Sequence, residues 1–164
     1  MKKIKIVSPA KSIDEKLIEA SKDWLESNGF EVSVGAHAAG QFNYFSGTDA
    51  ERLQDMQEAI DDEDLDIILC ARGGYGSVRI IEELDWVRFQ QKPKLICGYS
   101  DVTVFHNRMN KMGFASLHCT APLNFKENTT EALESLKNAL NGGSNNYRIN
   151  GHELNRLGNA TAEI

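Results

Sequence analysis

The 164-residue chain has the length of one ordinary domain, and its composition, 41% hydrophobic and 26% charged residues, is that of a soluble globular protein. The formal net charge of −6 argues against nucleic acids and anionic membranes as partners, and no apolar run approaches the length of a membrane span. The cysteines Cys70, Cys97 and Cys119 have no partner at metal-ligand spacing, so we expect reduced thiols in a cytoplasmic protein.

Predicted strands and helices alternate along the chain. In order, we predict strand 3–8, helix 14–28, strand 30–34, a helix from a Thr48 cap to about residue 60, strand 66–71, helix 78–84, strand 94–98, helix 102–112, strand 114–118 and helix 131–140. Thr48 and Glu51 have the spacing of a capping box, and residues 36–47 are predicted to be irregular. This order predicts an α/β fold: a doubly wound, mostly parallel sheet of flavodoxin-like, three-layer form, with helices on both faces.

The end of the chain differs in character from the rest. Residues 1–145 are expected to form the α/β domain. Residues 146–164, with a short strand at 147–149, are expected to begin a connector to a carboxyl-terminal domain that is absent from this chain; a disordered tail is the alternative.

A glycine-rich turn follows the predicted third strand directly. Gly73, Gly74 and Gly76 occupy three of four positions and free the backbone to approach a ligand closely. Their N–H groups can converge on an anion or on a developing oxyanion. An ordinary strand-to-helix turn that needs glycine for its dihedral angles is the simpler explanation of the same pattern.

A second turn, at the end of the predicted fourth strand, has a serine at its apex. Gly98, Tyr99 and Ser100 connect the strand to a helix, which resembles a nucleophile elbow. Val102 stands where the usual Gly-x-Ser-x-Gly pattern has its second glycine. Ser100 is therefore either a nucleophile or a helix N-cap. Because the two turns end successive strands, they form the usual binding crevice of an open α/β sheet.

Several short motifs together resemble one enzyme family, the LD-carboxypeptidases, whose members include muramoyltetrapeptide carboxypeptidases and microcin C self-immunity proteins. The matching segments are Ser8-Pro9-Ala10, Tyr44-Phe45-Ser46-Gly47-Thr48, Ala71-Arg72-Gly73-Gly74-Tyr75-Gly76, Leu84-Asp85, Pro93-Lys94, Gly98-Tyr99-Ser100-Asp101-Val102-Thr103, and His118 with Pro122 nearby. They occur in order over roughly residues 3–164, and the Arg-Gly-Gly-Tyr-Gly and Gly-Tyr-Ser-Asp blocks are specific as a pair.

The resemblance implies a serine peptidase. Ser100 would be the nucleophile, and the N–H of Asp101 with one from the Gly73-Gly74 turn would form the oxyanion hole. The family removes the terminal D-residue from L,D-linked murein tetrapeptides during cell-wall recycling. Its Ser-His-Glu triad draws the His and Glu from the carboxyl-terminal domain, so this chain alone is expected to be inactive.

Substrate contacts are expected from Arg72, Tyr75, Tyr99 and His118. Arg72 can bind a carboxylate in bidentate fashion, and a structural ion pair explains it equally well. His118 departs from the family's His-Gly-Pro pattern; it is a structural histidine, a substrate contact or, less simply, a base. The Asp101 side chain is expected to cap the elbow helix.

One histidine near the nucleophile is excluded as a base by helix geometry. His106 lies six residues beyond Ser100 on the same predicted helix, more than a turn away, and cannot reach the hydroxyl.

The function expected from the whole sequence is thus the nucleophile-bearing domain of a cytoplasmic, homodimeric serine LD-carboxypeptidase acting on a murein peptide, with no metal or organic cofactor. One alternative is a microcin-immunity-type peptidase of the same family. Another is a non-catalytic flavodoxin-like domain that binds a phosphate or nucleotide in the turn of residues 73–77. A third is a truncated, inactive chain that self-associates through the surface a missing domain would cover.

Overall fold

The computed structural model of the protein describes residues 1–147, 150–154 and 158. The ends of the helices and strands are as follows: β1 Lys3–Val7, α1 Glu15–Ser27, β2 Glu31–Val34, α2 Asp49–Asp61, β3 Ile67–Cys70, α3 Val87–Gln91, β4 Leu95–Gly98, α4 Thr103–Met112, β5 Leu117–His118 and α5 Thr130–Leu140. Short 3-10 turns cover Ser77–Arg79, Ile81–Glu83, Ser100–Val102 and Pro122–Glu127. None of the described helices is long and apolar enough to cross a membrane.

The sheet has five parallel strands in the order β2-β1-β3-β4-β5. This is the flavodoxin-like order, and it confirms the predicted doubly wound α/β fold. The strand order reverses between β1 and β3, so the loops that follow these two strands flank the crevice where such sheets bind ligands. The loop that carries Ser100 follows β4, the neighbour of β3 on the side away from β1.

The core has two halves, one on each face of the sheet. The strand residues of β3 alternate between them: Ile68 and Cys70 pack with α2, α3 and α4, whereas Ile67 and Leu69 pack with α1 and α5. A strand covered on both faces is expected to be apolar at every position, and all four β3 residues are buried.

Two predicted elements needed correction, and one helix was missed. Residues 78–84 form 3-10 turns and not a single helix, because the buried Ser77, Ile80 and Ile81 follow a spacing of three to four residues that two tight turns also satisfy. The helix α3 was not predicted. The fifth strand is limited to two residues, because Phe114 is used to close α4 and packs against Phe89.

Local signals predicted other boundaries correctly. Thr48 and Glu51 form the expected capping box, in which the Thr48 side chain accepts from the Glu51 N–H and the Glu51 carboxylate accepts from the Thr48 N–H at 2.8 Å. Residues 148 and 149 of the predicted strand at 147–149, and most of the predicted connector, lie outside the described residues. Up to Tyr147 the chain still contacts α5, through hydrogen bonds of Asn145 and Tyr147 with Ser135.

A buried arginine on α2 joins the loops at the carboxyl edge of the sheet. The Arg52 side chain is fully buried and donates to the carbonyl oxygens of Pro9, Gly47 and Gly76. It also pairs with Asp49, a half-exposed carboxylate that Arg79 binds from the solvent side. One cation therefore links the segments that follow β1, β2 and β3.

Replacing Arg52 with Met is expected to lower the free energy of unfolding by about 3 kcal/mol, because each buried carbonyl oxygen left without a donor costs about 1–3 kcal/mol. The matched control is Arg79→Met, which removes an exposed partner of the same Asp49 and is expected to change the stability much less. Urea unfolding of both variants measures the difference. Equal losses in the two would show that the Asp49 ion pair matters and the carbonyl contacts do not.

Candidate active site

The turn after β4 holds Ser100 in a strained backbone conformation. Ser100 has φ +64°, a value that residues other than glycine rarely adopt, and its side chain is exposed. The chain passes from an extended Tyr99 through the 3-10 turn of residues 100–102 into α4. A strained serine at a strand-to-helix turn is the geometry of a nucleophile elbow, and such strain is concentrated at functional sites.

The residues around the serine explain the incomplete glycine pattern. Gly98 has φ +149°, and a Cβ on it would lie 3.0 Å from Val102 Cγ1 and 3.2 Å from Cys70 Cβ. Val102 is fully buried and fills the space beside Gly98. The elbow therefore uses a glycine before the serine, where the close approach occurs, and a core residue after it.

The glycine-rich turn lies directly against the elbow. A Cβ on Gly73 would be 3.0 Å from Ser100 Cβ, 3.1 Å from the Asp101 nitrogen and 3.1 Å from the Tyr99 carbonyl oxygen. Gly74 has φ +124°, and a Cβ there would meet Lys11 Cβ at 2.8 Å. The approach to the elbow needs glycine at position 73, and the structure brings the predicted oxyanion residues Gly73 and Asp101 together with Ser100. Gly74 follows Gly73 in the chain and packs against Lys11.

The Asp101 side chain has a different partner from the one predicted. It does not cap the elbow helix, because neither the 3-10 turn of residues 100–102 nor α4 has a side-chain cap. Instead its Oδ2 accepts a hydrogen bond of 2.9 Å from the Ser77 N–H. The carboxylate thus joins the elbow to the glycine-rich turn, a contact between residues 24 positions apart that no local sequence pattern signals.

In the described part of the chain, Arg72 does not form the structural ion pair that was the alternative to binding a substrate carboxylate. Its Nε donates to the Gly73 carbonyl oxygen at 3.2 Å and its Nη1 to the Ser12 carbonyl oxygen at 3.0 Å. The guanidinium thereby fixes the start of the glycine-rich turn to the loop after β1. Lys11, which the sequence analysis did not single out, lies beside Gly74 with its Nζ 4.4 Å from the centre of the Tyr44 ring.

The three other predicted substrate residues divide into two groups. Tyr75 is half exposed and its ring packs on Phe45. Tyr99 donates to Asn124 Oδ1 at 2.5 Å, and its ring centre is 6.5 Å from that of the exposed His118. Tyr99 and His118 line, with Asn124, a pocket of about 480 Å³. Tyr75 and Ser100 do not line this pocket.

A general base for Ser100 is not found among the described residues. His37 pairs with Asp55 at 2.9 Å, and His106 is held between the Gly98 carbonyl oxygen and Ser116 Oγ, each at 2.9 Å. No described histidine or carboxylate side chain is hydrogen-bonded to Ser100 Oγ, and no described group of three or more His, Cys, Asp or Glu residues is arranged to hold a metal ion.

The cysteines nearest the elbow are poor competitors for the role of nucleophile. Cys70 and Cys97 are fully buried at the ends of β3 and β4. Burial raises the pKa of both thiols, so neither supplies a thiolate at neutral pH. The Ser100 side chain, by contrast, is exposed at this edge.

His106 is a neutral imidazole whose hydrogen bond to the Gly98 carbonyl oxygen holds the backbone just before the elbow. Burial lowers its pKa, the nearby His118 lowers it further, and the hydrogen bond to Gly98 partly offsets both. With Nε2 bound to a carbonyl oxygen, the neutral ring donates there and accepts from Ser116 Oγ at Nδ1. The unfolded chain therefore binds this proton more readily than the folded chain does.

The stability that His106 contributes is expected to be complete above pH 6.5, the ordinary pKa of histidine, and to decline as the pH falls below it. Urea unfolding at pH 7.5 and 5.5 measures the decline. His106→Gln is expected to reduce it, whereas His152→Gln, a change at an exposed histidine, serves as the control and is expected to leave it unchanged. A decline that is the same in the parent and in His106→Gln would contradict this assignment.

The residues that form the sheet and both turns also match a known protein family. The family model described as LD-carboxypeptidase N-terminal domain matches residues 4–119. The murein tetrapeptide carboxypeptidase of Pseudomonas aeruginosa is 32% identical over 117 residues, which are 71% of this chain and 38% of that protein.

Solved structures show the same fold. The muramoyltetrapeptide carboxypeptidase from Oxalobacter formigenes is 25% identical, with a TM-score of 0.74 over 84% of this chain and 47% of its own. An MccF-like protein from Bacillus anthracis is 26% identical, with a TM-score of 0.77 over 85% of this chain and 44% of its own. The chain thus spans less than half the length of these relatives.

Proposed function

The chain belongs to the LD-carboxypeptidase family, and we propose that it is the nucleophile-bearing domain of a serine carboxypeptidase that removes the terminal D-residue from L,D-linked murein tetrapeptides. The observation that carries the proposal is the positive φ of Ser100 directly against Gly73, at the carboxyl edge of the sheet. The substrate is taken from a relative that is named a murein tetrapeptide carboxypeptidase.

The proposed reaction begins at Ser100. Its Oγ bonds to the carbonyl carbon of the L,D-peptide bond while a base takes the hydroxyl proton, and the carbonyl oxygen becomes an oxyanion. The Asp101 N–H and an N–H of the Gly73-Gly74 turn stabilise that oxyanion. The C–N bond then breaks, the protonated amine of the D-residue leaves, and water hydrolyses the acyl-enzyme.

The base belongs to a second part of the protein in this proposal. Residues 1–145 form the catalytic-nucleophile domain, and residues 146–164 begin the connector to a carboxyl-terminal domain that supplies His and Glu. Support comes from the lack of a described base at Ser100 and from the chain's match to less than half of each relative.

Tyr99 and His118 contribute substrate contacts in the pocket beside the elbow, and Tyr75 contributes from the glycine-rich turn. Arg72 orients that turn, and its Nη2, which has no hydrogen-bond partner among the described residues, is available to the substrate carboxylate.

The proposal also includes the cellular setting. A cytoplasmic location is supported by three free cysteines among the described residues. The homodimer rests on the family resemblance alone. The microcin-immunity branch shares this domain's fold, and the named murein peptidase relative is the reason for preferring a murein substrate.

A non-catalytic anion-binding role fits the glycine-rich turn less well. An anion cradle needs free N–H groups, and the Ser77 N–H is already bound to the Asp101 carboxylate. That carboxylate would also repel a phosphate. Retained phosphate or nucleotide binding after Ser100→Ala, without any peptidase activity in the parent, is the result that this alternative requires.

The test is to assay the product of the complete reading frame and the 164-residue chain on a murein tetrapeptide, each with and without Ser100→Ala. The complete protein is expected to lose its activity on Ser100→Ala with little change in melting temperature, because an exposed hydroxyl contributes little packing. The shorter chain is expected to show at most the residual rate that remains when a triad member is missing, about 10³–10⁴-fold over water. Near-normal kcat/KM in the Ser100→Ala protein would exclude Ser100 as the nucleophile.

A further inference from the structure

One peptide unit of the glycine-rich turn is bound at both ends by charged side chains. The Gly76 carbonyl oxygen accepts from Arg52 Nη1 at 3.0 Å, and the Ser77 N–H of the same peptide unit donates to Asp101 Oδ2 at 2.9 Å. In a trans peptide the C=O and N–H point in opposite directions. The buried cation and the carboxylate therefore hold this unit from opposite sides.

The position of Asp101 in the elbow makes this contact relevant to catalysis. Asp101 follows Ser100, and its own nitrogen is the proposed oxyanion donor that lies against Gly73. A hydrogen bond to an ionised acceptor is about twice as strong as a neutral one. The side chain of the donor residue thus binds the turn that supplies the other proposed donor.

The Arg52 end of the clamp is rigid. Its guanidinium is fully buried and also holds Pro9 and Gly47, so the Gly76–Ser77 unit has little freedom to follow a displaced elbow. Burial lowers the pKa of Arg52, while the carboxylates of Asp49 and, across the peptide unit, Asp101 raise it. The Asp101 carboxylate therefore helps to stabilise the buried Arg52 cation.

We propose that the Asp101 carboxylate is a positioning residue: by binding the Ser77 N–H, it fixes the elbow against the glycine-rich turn so that both oxyanion donors face one point. The inference rests on the proposed peptidase function and concerns how its oxyanion hole is assembled. It assigns the carboxylate no proton transfer and no contact with substrate.

The test compares Asp101→Ala with Asp101→Asn in the complete protein. Asp101→Ala is expected to lower kcat by about 10²–10³-fold, the loss that follows removal of one oxyanion donor, with KM changed less than about threefold because substrate binding does not use this contact. Asp101→Asn is expected to stay within about tenfold of the parent, since its amide oxygen still accepts from Ser77.

The control is Asp66→Ala. The Asp66 carboxylate accepts the Lys3 N–H at 2.8 Å, a similar long-range bond, but at the opposite edge of the sheet. It is expected to leave kcat unchanged. Amide hydrogen exchange in the 164-residue chain reports the contact itself: the Ser77 N–H is expected to exchange faster in Asp101→Ala and to remain protected in Asp101→Asn.

A parent-like kcat in Asp101→Ala would overturn the inference. So would an Asp101→Asn protein whose kcat is about 10²-fold or more below that of the parent while its Ser77 N–H stays protected, and this second result does not require Asp101→Ala to fold. Ser100→Ala separates the two proposals: activity in that variant defeats the peptidase function, whereas an inactive Ser100→Ala beside a normal Asp101→Ala defeats only the positioning role.

Discussion

The Gly76–Ser77 peptide unit, held between the Arg52 guanidinium and the Asp101 carboxylate, is the contact on which the arrangement of the carboxyl edge depends. Four loops meet there. Arg52 binds the segments after β1, β2 and β3, and Asp101 adds the segment after β4. A buried cation with carbonyl partners is costly to disturb, because removing it leaves several acceptors unsatisfied at once. The backbone of the site is therefore pre-organised by charges that do not themselves react.

The sheet brings the two turns together before any side chain acts. In the parallel pair β3 and β4, Leu69 is in register with Cys97, so the chain leaves both strands at the same level. Because residue 73 is a glycine, the backbone of the glycine-rich turn can then come into contact with the backbone around Ser100. The strained φ of Ser100 is an unfavourable local conformation, which persists because the buried Val102 anchors the following helix and His106 holds the Gly98 carbonyl oxygen.

Much of this architecture was predictable from local patterns. The apolar run of β3, the capping box at Thr48 and the glycine-serine turn each depend on neighbouring residues, and the structure confirms these elements. The fifth strand was predicted too long because phenylalanine is common in strands. In the structure, Phe114 instead closes α4 and packs against Phe89 in the core. Tertiary packing outweighed β-propensity at that position.

The side-chain partners of the site were less predictable. Arg72 has the motif position of a carboxylate ligand, yet it binds the carbonyl oxygens of Gly73 and Ser12. Arg52 looks like a solvent-facing helix residue in sequence, and only the convergence of three loops makes it buried. The contact of Asp101 with Ser77 is similarly long-range. Residues whose partners are backbone atoms of distant loops have no short-range signature.

The central claim is that the Oγ atom of Ser100 becomes acylated. The most direct measurement is to quench the complete protein with acid during turnover of a murein tetrapeptide, digest it and locate the added mass by mass spectrometry. The account predicts a tripeptide acyl adduct, the substrate less its terminal D-residue, on the fragment that contains Ser100, and its loss in Ser100→Ala. An adduct on another residue, or an adduct of the same mass that persists in Ser100→Ala, would contradict it.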